Sequence, residues 1–438
     1  MKTTRRDLFR YAAIASAGVA AKGARADERP AESMAGLPFE RRSKVRMGFI
    51  GIGERGKWLL REFTAVEGVE VIALCDVVKD KFAAAQDIVQ KSGQAKPAAV
   101  YDDGDHAYEA LARREDIDLI AIATPWKWHV PMATYAMKQG KHAAVEVPAA
   151  ITLDGCWDLV NTSEHTRRHC IQLENCCYGY NELLVLNLVR AGVLGEITHG
   201  GAAYNHDLRS VLFDRESEGL WRRAEHFSRN GNLYPTHGLG PVARYMDVNH
   251  GDRFEYLVSM SSPALSLKSY ANAMLAADDP RRKESYRCGD QNTSLIKTAK
   301  GRLITLEHNT STPEPYDRVN MVAGTKGIFR DYPPRIFVDG SGTEEYGTLD
   351  PYKAKYEDPD WKRLGDVARQ RGGHGGMDFI MAYRLIQSFK DGTAPDMDVY
   401  DAATWSAPGP LSEMSVAQGS APVAFPDFTR GRWKQARS

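Results

Sequence analysis

The 438-residue chain is 43% hydrophobic and 26% charged, the composition of an ordinary globular protein, and its length favours two domains. Lysine plus arginine and aspartate plus glutamate number 57 each, so no net field holds the chain on a polyanion or an acidic membrane surface, and nucleic acid is not expected as a partner. Six cysteines are too sparse for a disulfide framework, and none is expected to be bridged.

In chain order, residues 1–26 read as a signal peptide: Arg5 and Arg6, a run of small apolar residues over 11–21, then Ala24-Arg25-Ala26 as a cleavage site. The apolar run falls short of the roughly 20 residues that cross a bilayer, so no stable membrane anchor is expected. Thr4-Arg5-Arg6-Asp7-Leu8-Phe9 resembles a twin-arginine signal, which implies that export machinery as a partner and a periplasmic or secreted location. Residues 27–43 are polar, with Pro30 and Pro38, and read as a linker.

From Val45 the pattern changes. Apolar runs at 45–50, 69–75, 119–123, 143–147 and 170–173 predict buried strands, and amphipathic stretches at 57–66, 79–91, 106–113, 130–139 and 153–166 predict the helices between them. Such alternation makes an α/β fold, a doubly wound parallel Rossmann sheet over 44–175. Beyond it, strand candidates at 256–260, 293–297 and 303–307 predict an α+β domain over 176–438 with a largely antiparallel sheet, and a helix over 376–389 is expected to pack back on the first domain. An exposed sheet face there makes a homodimer an expectation as well.

The first strand runs into Gly51-Ile52-Gly53-Glu54-Arg55-Gly56, a G-x-G-x-x-G turn opening a helix. Gly51 permits the tight turn, Gly53 admits a pyrophosphate to the backbone, and Gly56 lets helix and strand approach. The second strand ends in Asp76, placed to accept hydrogen bonds from the adenosine ribose and to repel a 2′-phosphate, so the expected cofactor is NAD; capping of the following helix is the other reading. The fourth strand ends at Thr124-Pro125-Trp126-Lys127-Trp128-His129, on the sheet edge where ligands of open α/β folds bind. The two tryptophans wall a nicotinamide or join the core. The next strands end in Glu146-Val147-Pro148 and in Glu174-Asn175.

With these motifs the chain resembles the Gfo/Idh/MocA oxidoreductases, in which the middle residue of Glu-x-Pro is commonly the lysine that moves a proton during sugar dehydrogenation. Val147 stands there and carries no proton. Four segments resemble one branch, glycoside hydrolase family 109, the NAD-dependent α-N-acetylgalactosaminidases: 124–129, 146–148, 174–178 and, most specific, 231–241. The resemblance implies NAD contacts at Arg55, Gly56, Asp76, Trp126, Lys127, Trp128, His129, Glu146, Val147 and Asn175. It implies substrate contacts at Tyr204, Arg222, Tyr234, Pro235, Thr236, His237 and Tyr316, with Arg223 as the alternative to Arg222.

No carboxylate pair stands out by spacing, and NAD-dependent hydrolysis is a recognised exception to the two-carboxylate scheme. Removal of hydride from C3 of the sugar acidifies C2–H, the C1 substituent is eliminated, water adds to C1, and hydride returns to C3. For the proton steps we expect His237 and Tyr178, with Tyr234 assisting; the other reading of His237 is a helix-start residue bonded to backbone. An exported sugar oxidoreductase on tightly held NAD is the competing function, and an NAD-binding scaffold a third. No metal is expected: Cys176 and Cys177 lack ligand spacing, and His374 within Gly372-Gly373-His374-Gly375-Gly376 offers no ligand set and reads as a loop residue.

Overall fold

The computed structural model describes residues 32–435. The signal-peptide reading and the first part of the expected linker lie outside them. From Ser33 onward the chain forms one compact unit built on two sheets.

Six parallel strands make the first: β1 Val45–Ile50, β2 Val69–Cys75, β3 Ala99–Tyr101, β4 Leu119–Ile122, β5 His142–Val145 and β6 Cys170–Gln172, in the order β3-β2-β1-β4-β5-β6. The helices α1 Glu54–Thr64, α2 Lys81–Lys91, α3 Ala107–Ala112, α4 His129–Lys138 and α5 Leu153–Thr166 connect them. Every residue of β4, β5 and β6 is buried, which is why these strands read as continuous apolar runs rather than alternating ones. β3 escaped prediction because it is three residues long and its middle residue, Val100, is exposed. The order reverses between β1 and β4, and the sequence motifs all sit at the carboxyl ends of the strands around that point.

The second sheet has eight strands in the order β13-β12-β11-β7-β10-β9-β8-β14. They are β7 Ile197–Asn205, β8 Phe254–Ser261, β9 Asn292–Thr298, β10 Leu303–Asn309, β11 Met321–Gly324, β12 Gly327–Arg330, β13 Arg335–Val338 and β14 Val423–Ala424. All pairings are antiparallel except that of β7 with β10. The predicted strands are β8 to β10. β7, with Gly200 and Gly201 at its centre, lacks the β-branched signature, yet it lies at the middle of the sheet.

The helix Met377–Asp391 packs on α1 and on the turn Asn175–Tyr178. The helix Val399–Ser406, opened by an Asp398/Asp401 capping box, packs on α5 and β6. Residues 33–43, expected as linker, instead join this region: Met34 and Phe39 are buried, Phe39 stacks on Phe389 with ring centroids 3.8 Å apart, and its N–H donates to the Thr393 carbonyl at 3.1 Å. Leu37 packs there too, and the Met34 amide donates to Tyr400 Oη while Arg42 pairs with Asp118. Among the described residues no helix is long and apolar enough to cross a membrane.

Candidate active site

At the Gly-rich turn, a Cβ on Gly56 would lie 1.9 Å from the Gly51 carbonyl oxygen, so only glycine lets α1 approach β1 this closely. Gly53, the N-cap of α1, offers no side-chain cap to the first-turn amides. A Cβ there would meet only the Lys81 Nζ, at 3.8 Å, so the space in front of the helix start is open to a phosphate. Asp76 accepts from the Ile52 and Val78 amides, both at 2.9 Å, and from Lys81 Nζ at 3.1 Å. Its carboxylate is thereby fixed against the turn, with Lys81 Nζ spanning both oxygens at 3.1 and 3.3 Å, a cation that a ribose hydroxyl would displace in part. Lys81 had no signal beyond opening a helix five residues after Asp76. These groups fit a dinucleotide.

Arg55, Glu146 and Asn175 meet in one network whose hub, Asp378, went unnoticed in the sequence. Arg55 Nε donates to Glu146 Oε1 at 2.6 Å, and its two terminal nitrogens donate to Asp378 at 3.0 and 3.1 Å. Asn175 Nδ2 donates to Asp378 Oδ1, and His374 Nδ1 lies on Oδ2, both at 2.7 Å. Burial alone would raise the Asp378 carboxyl, but Arg55 and His374 hold it well below the usual carboxylate range. His374, read as a plain loop residue, thus ties the 372–376 loop to the strand ends.

On the other side, Trp126, Val147, Tyr204 and Tyr234 share one buried apolar cluster. The Arg222 guanidinium lies over the Tyr234 ring (4.8 Å), the Trp126 ring (5.2 Å) and the Tyr204 ring (5.9 Å), paired with Glu218 at 2.5 Å. Its Nη2 is buried without a partner among the described residues. Arg223 turns away to Glu284 and the Leu212 carbonyl, so Arg222 is the arginine brought to the cluster.

His237 enters from the helix Thr236–Tyr245. A Cβ on Gly238 would lie 2.4 Å from backbone atoms of Ala203, so glycine lets this helix lie directly on β7 and sets the depth of His237. His237 Nδ1 is 2.7 Å from Glu174 Oε1, and Nε2 is 3.4 Å from Tyr234 Oη. Glu174 is fully buried at the end of β6. Burial would raise its carboxyl, and the histidine pulls it below its ordinary value. A carboxylate at Nδ1 requires the proton there, which leaves the Nε2 lone pair as the basic one. Sequence reading assigned Glu174 no role, although its place beside Asn175 at a strand end was the available signal. We expect Glu174→Gln to lower kcat by roughly 10- to 100-fold and to move the acidic limb of the kcat/KM pH profile, where the base becomes protonated, which a purely structural role would leave in place.

Not all expected residues converge. Tyr178 belongs to the larger core: its ring lies between the Arg244 and Arg384 guanidiniums, each 5.8 Å away, and its carbonyl accepts from Trp361 Nε1 at 2.8 Å. The short turn Asn175–Tyr178 sends its side chain to the helices beyond residue 358, and burial pushes the phenol well above its usual range, so we withdraw it as an acid–base group. Both ring nitrogens of His129 lie 2.8 Å from carbonyls, of Thr124 and Pro148, so its side chain holds the ends of β4 and β5 together. Trp128 packs against His106 and Tyr108, apart from Trp126, with exposed Lys127 over its ring. Pro235 is the N-cap and buried Thr236 the first residue of the His237 helix. Tyr316 stands at the rim, 39% exposed, edge-on to Tyr204. His206 packs edge-on against both the Tyr204 and Tyr316 rings.

Glu174, Cys176 and His237 bring an oxygen, a sulfur and a nitrogen within 4.8 Å of one another. The Cys176 thiol donates to Asn175 Oδ1 at 3.6 Å, and burial raises it well above its ordinary value. The two halves of the site meet at neighbouring residues: Glu146 belongs to the Arg55 network and Val147 to the aromatic cluster, while Asn175 contacts Asp378 and Glu174 contacts His237.

Two protein families match the chain: an oxidoreductase family with an NAD-binding Rossmann fold over residues 45–172, and the C-terminal domain of glycosyl hydrolase 109 over 178–435. A glycosyl hydrolase family 109 protein of Solibacter usitatus (strain Ellin6076) is 63% identical over 434 residues, covering 99% of this chain and 98% of its own. Another, from Streptomyces niveus, is 50% identical, covering 94% and 83%. Among solved structures, levoglucosan dehydrogenase in complex with NADH and levoglucosan superposes with a TM-score of 0.67 at 18% identity, over 88% of this chain and all of its own, which is a likeness of fold.

Proposed function

Because the chain belongs to glycosyl hydrolase family 109 and its N-terminal half is an NAD-binding Rossmann fold, we propose that it hydrolyses terminal α-N-acetylgalactosamine through transient oxidation of the sugar. One observation carries this reading. The strand ends that build the dinucleotide site adjoin, at neighbouring residues, an aromatic cluster and the Glu174–His237 pair, with Val147 where a dehydrogenase of this fold would use lysine.

NAD supplies, when bound, the acceptor and donor of hydride at C3. Arg55, Asp76, Lys81 and the first-turn amides of α1 would hold it. The proton leaving C2 goes to Nε2 of His237, and Glu174 stabilises the imidazolium that results. Tyr234, kept protonated by burial, donates to the sugar oxygen on which the C2 carbanion's charge collects. Arg222 Nη2, without an acceptor of its own, is the donor for an acetamido carbonyl. The C3 hydroxyl proton leaves to solvent as the ketone forms and comes back when the alcohol is restored. In between, the C1 substituent departs, water adds its hydroxyl to C1 and gives its proton to the departed oxygen, and His237 returns its proton to C2, with no net redox change.

Purified protein incubated with an aryl α-N-acetylgalactosaminide, without added NAD, should release the aryl alcohol repeatedly with no accumulation of NADH. Stoichiometric NADH or an oxidised sugar would instead make it a sugar oxidoreductase. We further propose that the enzyme is exported with its NAD already bound, a reading supported by the twin arginines and by a cycle that needs no external nucleotide.

A further inference from the structure

We propose that a cavity of about 690 Å³, apart from the aromatic cluster, receives the sugar on the leaving-group side of the scissile bond. This rests on the glycosidase reading above. The cavity lies beside the 372–376 loop and is lined by Tyr180, Asn181, Arg318, Tyr332, Lys353 and Arg369, among others, none of which belongs to the cluster around His237. Its volume is within the roughly 300–1,000 Å³ of small-molecule sites.

A single residue links the two places. The Tyr316 ring is edge-on to Tyr204 on one side and to Tyr332 on the other, with centroids 6.1 Å apart in both cases. A glycan whose terminal sugar lies against Tyr204 therefore passes Tyr316 and enters the cavity.

The lining suits a neutral, hydroxylated occupant. Its cations are already matched: Arg318 to Glu182 at 2.6 Å, Lys353 to Asp350 at 2.6 Å, and Arg369 to Asp366 at 3.3 Å. An anion would meet cations that each already face a carboxylate, whereas sugar hydroxyls can accept from the cations of such pairs and donate to their carboxylates. Arg318 is 4% exposed; Nε donates to Tyr332 Oη at 2.7 Å, and Nη1 has no partner among the described residues. Aromatic rings such as Tyr180 and Tyr332 offer flat faces to the C–H side of a pyranose.

The test compares kcat/KM on a disaccharide, α-N-acetylgalactosamine linked to galactose, with that on the 4-nitrophenyl glycoside. Thr348→Trp places bulk at the exposed cavity rim, and Asn181→Ala removes a polar group from the wall; melting curves establish that both fold. Each should lower the disaccharide value by roughly tenfold or more and leave the aryl glycoside within about twofold. Equal losses on both substrates, or no loss on either, would overturn the subsite while leaving the glycosidase reading intact. Wild-type protein that cleaves neither substrate overturns both.

Discussion

His237→Ala is expected to lower kcat on an aryl α-N-acetylgalactosaminide by about 10²- to 10⁴-fold, the range for loss of a positioned acid–base group. Nε2 of His237 is the basic nitrogen of the site, because the Glu174 carboxylate, 2.7 Å from Nδ1, holds the proton on the other side of the ring. The variant should still fold. Glu174 loses its partner but can take up a proton, so the structural loss is on the order of 1–3 kcal/mol. Tyr178→Phe is the control, since that ring packs against Arg244 and Arg384, and kcat should stay within about twofold. Near-normal turnover in His237→Ala, or an equal collapse in Tyr178→Phe, would reverse the assignment.

The second large effect concerns stability. Asp378→Asn removes the buried, bidentate partner of a half-buried arginine and the carboxylate that Asn175 and His374 share, and should cost about 3–5 kcal/mol. A fall in the urea midpoint together with faster loss of NAD on desalting is the expected readout. The pH dependence follows from the sign of the shift. Burial alone would raise the Asp378 carboxyl, but Arg55 and His374 depress it in the folded state. Its contribution is then complete above the unfolded value of about 4 and is lost as pH falls below that. Wild type and Asp378→Asn should converge in stability under acid and separate near neutrality; parallel curves would show that the network does not carry the difference.

Both effects bear on what could be read from residues alone. The Rossmann half was legible because its signals are local: a Gly-rich turn, uninterrupted apolar strands and an acidic strand end each announce themselves within ten residues. Asp378 was not, since it lies 323 residues from the arginine it holds and sits in a helix whose sequence says only that it is amphipathic. Glu174 was in view but without a partner until the fold brought His237 from 63 positions away. Tyr178 failed for a different reason: in a four-residue turn, spacing does not say which way a side chain leaves. The adjacent arginines were settled only by three-dimensional contact, Arg222 over three aromatic rings and Arg223 on Glu284.

All six cysteines are buried and unbridged, so nothing in this architecture waits for an oxidant. The chain is able to reach its final shape where glutathione keeps sulfur reduced and where dinucleotide is abundant. Dithiothreitol should accordingly leave its melting temperature unchanged, as the proposed export of an already folded protein would require.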